Sequence, residues 1–118
     1  MKIIMSDDVK SAITDIFKYS YNISSEYASK TVNKIYKEIY DLQDSPYIGR
    51  YVLELPNKKY RERICGAYRI IYYVSEINNT IYVCYIFCSR QNSSLFFEVH
   101  EKELFDFFRY LFNWFLIF

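Results

Sequence analysis

Five cations fall within the twelve residues 58–69, namely Lys58, Lys59, Arg61, Arg63 and Arg69, and only Glu62 opposes them. Arg90 follows at the end of a later apolar run. Guanidiniums brought side by side form a planar fork that suits phosphate, and Arg61, Arg69 and Arg90 would make such a site if neighbouring strands align them. Tyr60, Tyr68 and Phe96 are aromatics that could flank that site and stack on bases. The same residues admit a purely structural reading, in which Arg61 and Arg63 solvate a strand face and Arg69 pairs with Glu54 or Glu62. His100, the one histidine, opens a charged EKE stretch and reads as a solvated helix-start residue. Cys65, Cys84 and Cys88 lack CxxC spacing, so neither a zinc site nor a disulfide framework is favoured, and no metal or cofactor is expected. There is also no Gly-rich phosphate loop and no Ser/His/Asp ordering.

The elements that must position these cations are strands. Tyr68–Val74 and Thr80–Cys88 are rich in Tyr, Ile and Val, with the polar SEINN run between them, where Asn78 and Asn79 tolerate the positive φ of a tight turn. Simple alternation sets Ile81, Val83, Tyr85 and Phe87 against Tyr82, Cys84, Ile86 and Cys88. Both faces are then apolar, as in central strands, and Cys84 and Cys88 share a face as core fillers. Tyr60–Gly66 reads as the preceding strand, with Arg61, Arg63 and Cys65 on its exposed face. Arg50–Leu55 alternates enough to be another strand, which Pro56 and Asn57 break.

Upstream, Lys2–Met5 reads as a short edge strand. Ser6 is placed to cap a helix over Asp7–Tyr19, with Val9, Ala12, Ile13, Ile16 and Phe17 along one stripe. Ser24 or Ser25 precedes a longer helix whose Ala28, Val32, Ile35, Tyr36, Ile39 and Leu42 share a face, so the two form an αα-hairpin. Asp44, Ser45 and Pro46 end it.

The composition sets the limits. A chain of 118 residues is one domain, able to bury roughly two thirds of its unfolded surface. Its formal charge of +1 carries no signal for a polyanionic partner, so any nucleic-acid role rests on local clustering. Acidic residues interrupt the N-terminus before any signal-like apolar run, and reduced thiols fit a cytoplasmic protein. The fold class is therefore α+β: an N-terminal strand, an αα-hairpin, a mainly antiparallel three- to four-stranded sheet and a C-terminal helix. Residues 1–97 are read as the main domain. Residues 98–118 are read as an apolar helix packed on it or used as an interface, including one between copies of the chain. The apolar stretch 104–118 is fifteen residues, short of the about twenty that span a bilayer.

Taken together, DIxxY at Asp15, Ala28, SPxxGRxVxEL at Ser45–Leu55, YRE at Tyr60, YRIIY at Tyr68 and SRQ at Ser89 resemble the RelE/ParE superfamily of bacterial toxins over about residues 15–91. The resemblance implies the toxin of a type II toxin–antitoxin system, held by an antitoxin whose peptide wraps its sheet and helices. RelE-like members cleave mRNA on the ribosome without metal, and Arg61, Arg63, Arg69 and Arg90 match their basic catalytic residues, with Lys58, Lys59, Tyr60 and Phe96 as substrate contacts. On that pattern the expected activity is ribosome-dependent mRNA cleavage that arrests growth. ParE-like members instead poison DNA gyrase without enzymatic action, and a decayed toxin would only bind its antitoxin. The chain departs from the ribonucleases twice. Arg61 and Arg63 replace lysines on the middle strand, and a guanidinium stays protonated and serves poorly as a base. Phe96 or Phe97 stands where the ribonucleases carry a tyrosine. The long hairpin and the SPYIGR turn look more like ParE.

Overall fold

The computed structural model describes residues 1–56 and 58–89. Arg90, Phe96, His100 and the expected C-terminal helix lie outside these residues.

Strand β1 (Lys2–Met5) leads directly into helix α1 (Asp7–Tyr21), two residues longer than the sequence pattern suggests. Ser6 is the reason the helix starts where it does. Its hydroxyl accepts from the Val9 amide at 3.1 Å, satisfying one of the unpaired donors of the first turn, while Asp7 and Asp8 complement the positive end of the helix. Helix α2 (Ser25–Asp41) begins in the same way, with the Ser24 hydroxyl accepting from Tyr27 N at 3.0 Å. The two helices pack against one another as the expected αα-hairpin.

The remaining strands are β2 (Arg50–Tyr51), β3 (Tyr60–Cys65), β4 (Tyr68–Ser75) and β5 (Thr80–Cys88). With β1 they form one five-stranded sheet in the order β1-β5-β4-β3-β2, antiparallel except for the parallel β1/β5 pair. The strand expected over Arg50–Leu55 is only two residues long. After Tyr51 the chain turns, and Val52 and Leu55 are buried against the sheet instead of continuing along its edge. The turn between β4 and β5 holds Asn79 at φ 51°, the left-handed geometry that asparagine tolerates.

A β-bulge corrects the expected alternation of β5. Ile71 pairs with Tyr85 but Tyr72 pairs with Val83, so Cys84 is the extra residue and the phase of the strand flips there. Ile81, Val83 and Ile86 lie on the face beneath the helices, whereas Tyr82, Cys84, Tyr85 and Phe87 lie on the other. Cys84 and Cys88 therefore do not share a face. The bulge also anchors α1, because the Ser6 hydroxyl donates to Cys84 O at 2.7 Å and Ser6 N donates to Val83 O at 3.0 Å.

Each face of the sheet has its own core. On the first face, Val9, Ile13 and Ile16 of α1 and Ile35, Ile39 and Leu42, along α2 and at its end, pack on Ile70, Tyr72, Ile81, Val83 and Ile86. On the second face, Val52, Leu55, Tyr60, Ile71, Tyr82, Cys84 and Phe87 cluster, with Tyr73 and Tyr85 half-buried beside them. Among the described residues no helix is long and apolar enough to cross a membrane.

Candidate functional site

The β3/β4 register decides which cations can meet. Arg61 lies opposite Tyr72 and Arg63 opposite Ile70, both on the helix-covered face, while Ile64 lies opposite Arg69 on the second face. Side chains one residue apart in a strand point to opposite sides, so Arg61 and Arg63 are separated from Arg69 by the sheet itself. Nor is their face a solvated one, since Arg61, Arg63 and Cys65 are all half-buried.

Arg61 fastens the 45–51 loop. Its Nη1 donates to Gly49 O at 2.8 Å and Tyr47 O at 3.3 Å, and its Nη2 to the Tyr51 hydroxyl at 3.0 Å. The guanidinium sits 4.2 Å from the Tyr51 ring centroid and 5.2 Å from that of Tyr47, so it is held by two aromatic faces as well. Tyr47 ties the same loop to the β4–β5 turn by donating its hydroxyl to Glu76, a hydrogen bond that raises the phenol above its ordinary range. Gly49 completes the arrangement. Its amide donates to the Tyr72 hydroxyl at 2.9 Å, and a Cβ there would come within 2.6 Å of both Tyr72 Oη and Glu62 O. Arg63 reaches the other way and pairs with Glu38 of α2 at 3.2 Å.

Arg69 is the centre of a buried ion cluster on the second face. Its Nη1 and Nη2 donate to the two Glu54 carboxylate oxygens at 2.6 and 3.0 Å, a bidentate pair, and its Nε donates to Glu62 Oε2 at 2.7 Å while Nη2 also bonds that oxygen. Glu62 takes a second arginine, with Arg50 Nε at 2.7 Å from Oε1. The Arg69 guanidinium lies 5.1 Å from the Phe87 ring centroid. Glu62 is only 2% exposed and Arg69 7%, so that pair lies largely out of water, with Glu54 partly exposed and Arg50 exposed at the edge of the cluster. Burial works against the Arg69 charge, but its bonds to Glu54 and Glu62 outweigh that and hold the guanidinium above its usual range.

This geometry limits the chemistry. A phosphate approaching Arg69 would have to displace one carboxylate and sit beside another. The candidate stacking residue Tyr60 is 2% exposed, its ring 6.0 Å from that of Tyr73. Burial pushes the phenols of Tyr60, Tyr72 and Tyr73 up, and does the same to the Cys84 thiol, away from the neutral range in which a base or nucleophile works. Lys58 and Lys59 are exposed in the β2–β3 connection. Among the described residues no three His, Cys, Asp or Glu side chains come together as a metal site.

Sequence reasoning had Glu54 and Glu62 as alternative partners for Arg69, and the structure uses both. It missed Arg50, whose role follows from the Arg50–Glu62 pairing across β2/β3. It also missed two exposed apolar groups. Tyr47, Ile48, Tyr51 and Leu53 flank the short edge strand β2, and Tyr21, Ile23 and Tyr27 stand out at the turn of the helical hairpin, with the Phe17 and Tyr21 rings 5.9 Å apart. The available signal was their position off the core-facing stripes, in loops and at helix ends.

The architecture has a counterpart among solved structures. A chain from the chromosomal ParDE TA system of P. aeruginosa superposes with a TM-score of 0.63 at 16% identity, over 75% of this chain and 95% of that one. Comparison with curated protein sequences returns no match. The family described as the ParE toxin of the type II toxin–antitoxin system, parDE, matches residues 3–93, which take in both helices and every strand except the first residue of β1. With that match spanning nearly all of the described fold, the chain belongs to the ParE toxin family of type II toxin–antitoxin systems.

Proposed function

We propose that this toxin arrests growth in the ParE manner, by binding DNA gyrase, and that it does not cut mRNA. The observation that carries this reading is the state of its arginines. Arg61 and Arg63 lie across the sheet from Arg69, and each is already engaged, by loop carbonyls, by Glu38 and by Glu54 with Glu62. Cleaving RNA by stabilising a developing phosphate charge needs donors converging on one empty position, preorganised before the substrate arrives. Exposed Tyr47, Ile48, Tyr51 and Leu53 offer instead the aromatic and aliphatic contacts that anchor a protein partner. A solved structure of this fold comes from a ParDE TA system, and an antitoxin that covers such apolar surface until it is degraded fits this chain as well.

The test separates the two targets. Purified toxin should abolish supercoiling by gyrase, and cells induced without antitoxin should stop replicating DNA while their mRNA ends stay unchanged. Transcripts cut within ribosome-bound codons, with gyrase unaffected, would overturn the reading in favour of mRNA cleavage. Antitoxin binding without any growth defect would overturn it in favour of a decayed toxin.

A further inference from the structure

The segment joining α2 to β2 turns apolar side chains outward and yet is firmly held. Tyr47, Ile48 and Tyr51 are 47, 54 and 41% exposed, and Leu53, just past β2, is 81% exposed. Arg61 bridges the Tyr47 and Gly49 carbonyls and the Tyr51 hydroxyl, and its guanidinium lies against both tyrosine rings. The Gly49 amide donates to the buried Tyr72 phenol, and Tyr47 donates to Glu76 of the β4–β5 turn. Gly49 has no room for a Cβ, so the backbone here runs directly against Tyr72 and the Glu62 carbonyl. The exposed apolar groups therefore stand on a preorganised ledge, and a partner binding to it pays little for ordering the loop.

The charge around this ledge is one-sided. Residues 45–61 contain four cations, Arg50, Lys58, Lys59 and Arg61, and one carboxylate, Glu54. Glu54 is turned onto Arg69, away from the ledge, while Glu62 is taken by Arg50 and Arg69 and Glu76 by Tyr47. Lys58 is exposed, and the Arg50 side chain is 62% exposed. We infer that this ledge docks an acidic segment of the toxin's protein target, one that carries an apolar or aromatic side chain as its anchor. The inference rests on the reading of the chain as a toxin that acts by binding a protein. Opposite charge at the rim speeds encounter, and apolar anchors at the centre hold the complex. Nucleic acid fits less well. Arg61 is committed to loop carbonyls and lies on the tyrosine rings, and the aliphatic surface of Ile48 and Leu53 is of no use to stacked bases.

The kinetics of toxin binding to immobilised gyrase test both parts. The on-rate of the wild-type toxin should fall as NaCl rises from about 50 to about 300 mM. Lys58→Glu should lower the on-rate several-fold at the lower salt and approach wild type at the higher, whereas Leu53→Ser should raise the off-rate about tenfold at both. Ile23→Ser, on the exposed turn of the hairpin, should bind as wild type, and all three variants should melt as wild type does. Wild-type rates in both ledge variants, or an equal loss in Ile23→Ser, would overturn the inference while leaving gyrase as the target. Salt-insensitive binding with Lys58→Glu unchanged would overturn the acidic character of the segment. If the wild-type toxin does not bind gyrase, the reading of the target fails and growth arrest decides the ledge. Stable Leu53→Ser and Lys58→Glu chains that still arrest growth would then overturn the inference, and harmless ones would uphold it for another protein target. A wild-type chain that neither binds gyrase nor arrests growth overturns both. Binding of a single-stranded oligonucleotide that both ledge variants weaken would overturn the inference in favour of nucleic acid.

Discussion

Arg69 illustrates how a residue type can suggest one chemistry while its surroundings assign another. A cation in an apolar strand is a functional signal by charge alone, but here two carboxylates enclose it and a second arginine completes the balance. Removing one member of a buried pair strands the other charge, which typically costs about 3–5 kcal/mol. Urea unfolding of Arg69→Met should therefore show a loss of that order, because Glu62 keeps only the exposed Arg50. Arg69→Met combined with Glu62→Leu should recover part of it, and a double variant no better than the single would show that packing, not charge, dominates. Arg63 makes the contrast. Its pair with Glu38 is partly exposed, and such pairs contribute less than about 1 kcal/mol. Arg63→Ala should cost no more than that and leave growth arrest intact in an induction assay; a stable but harmless variant would return Arg63 to the site of action.

At the level of elements, the sequence carried most of the fold. Both helices, their serine caps, β1 and the β4–β5 hairpin were legible because 3.6 and 2.0 periodicities and cap chemistry are local properties. Two features were not local. The bulge at Cys84 leaves no mark in composition, since every residue around it is apolar and fits either face. The early end of β2 depends on Val52 and Leu55 finding a buried place on the second face, a tertiary choice. The candidate site suffered for the same reason, because one register determines that Arg61 and Arg69 cannot meet. The bulge and the α1 cap share Ser6, so Ser6→Ala should lose both the Val9 and Cys84 bonds and destabilise the protein by about 1–2 kcal/mol. Ser24→Ala, which loses a solvent-exposed cap only, should cost less. Equal costs in thermal unfolding would mean that the tie to the bulge contributes nothing.

For the molecule as a whole, the unusual feature is a set of phenols set into a mainly aliphatic core. The chain has 14 tyrosines, and Tyr60, Tyr72 and Tyr73 lie within the sheet with their pKa values raised above the ordinary 10, by burial in each case. The native state therefore holds these phenols protonated, whereas the unfolded chain releases their protons near pH 10. Because the folded pKa is raised, the associated stability is fully present below the unfolded value near 10 and is lost as pH climbs from there through the folded value. Unfolding free energy should thus be insensitive to these groups up to about pH 9 and then fall, by as much as about 1.4 kcal/mol per pH unit for each phenol still protonated in the fold. In an alkaline titration followed by tyrosinate absorbance, the sheet rings should ionise only together with loss of far-UV signal. Tyr60→Phe removes the phenol with the largest upward shift and should reduce the steepness of the fall above pH 10, even if it lowers stability at pH 7. All tyrosines ionising reversibly in one step near pH 10, with the fold retained, would show that the sheet phenols are open to water.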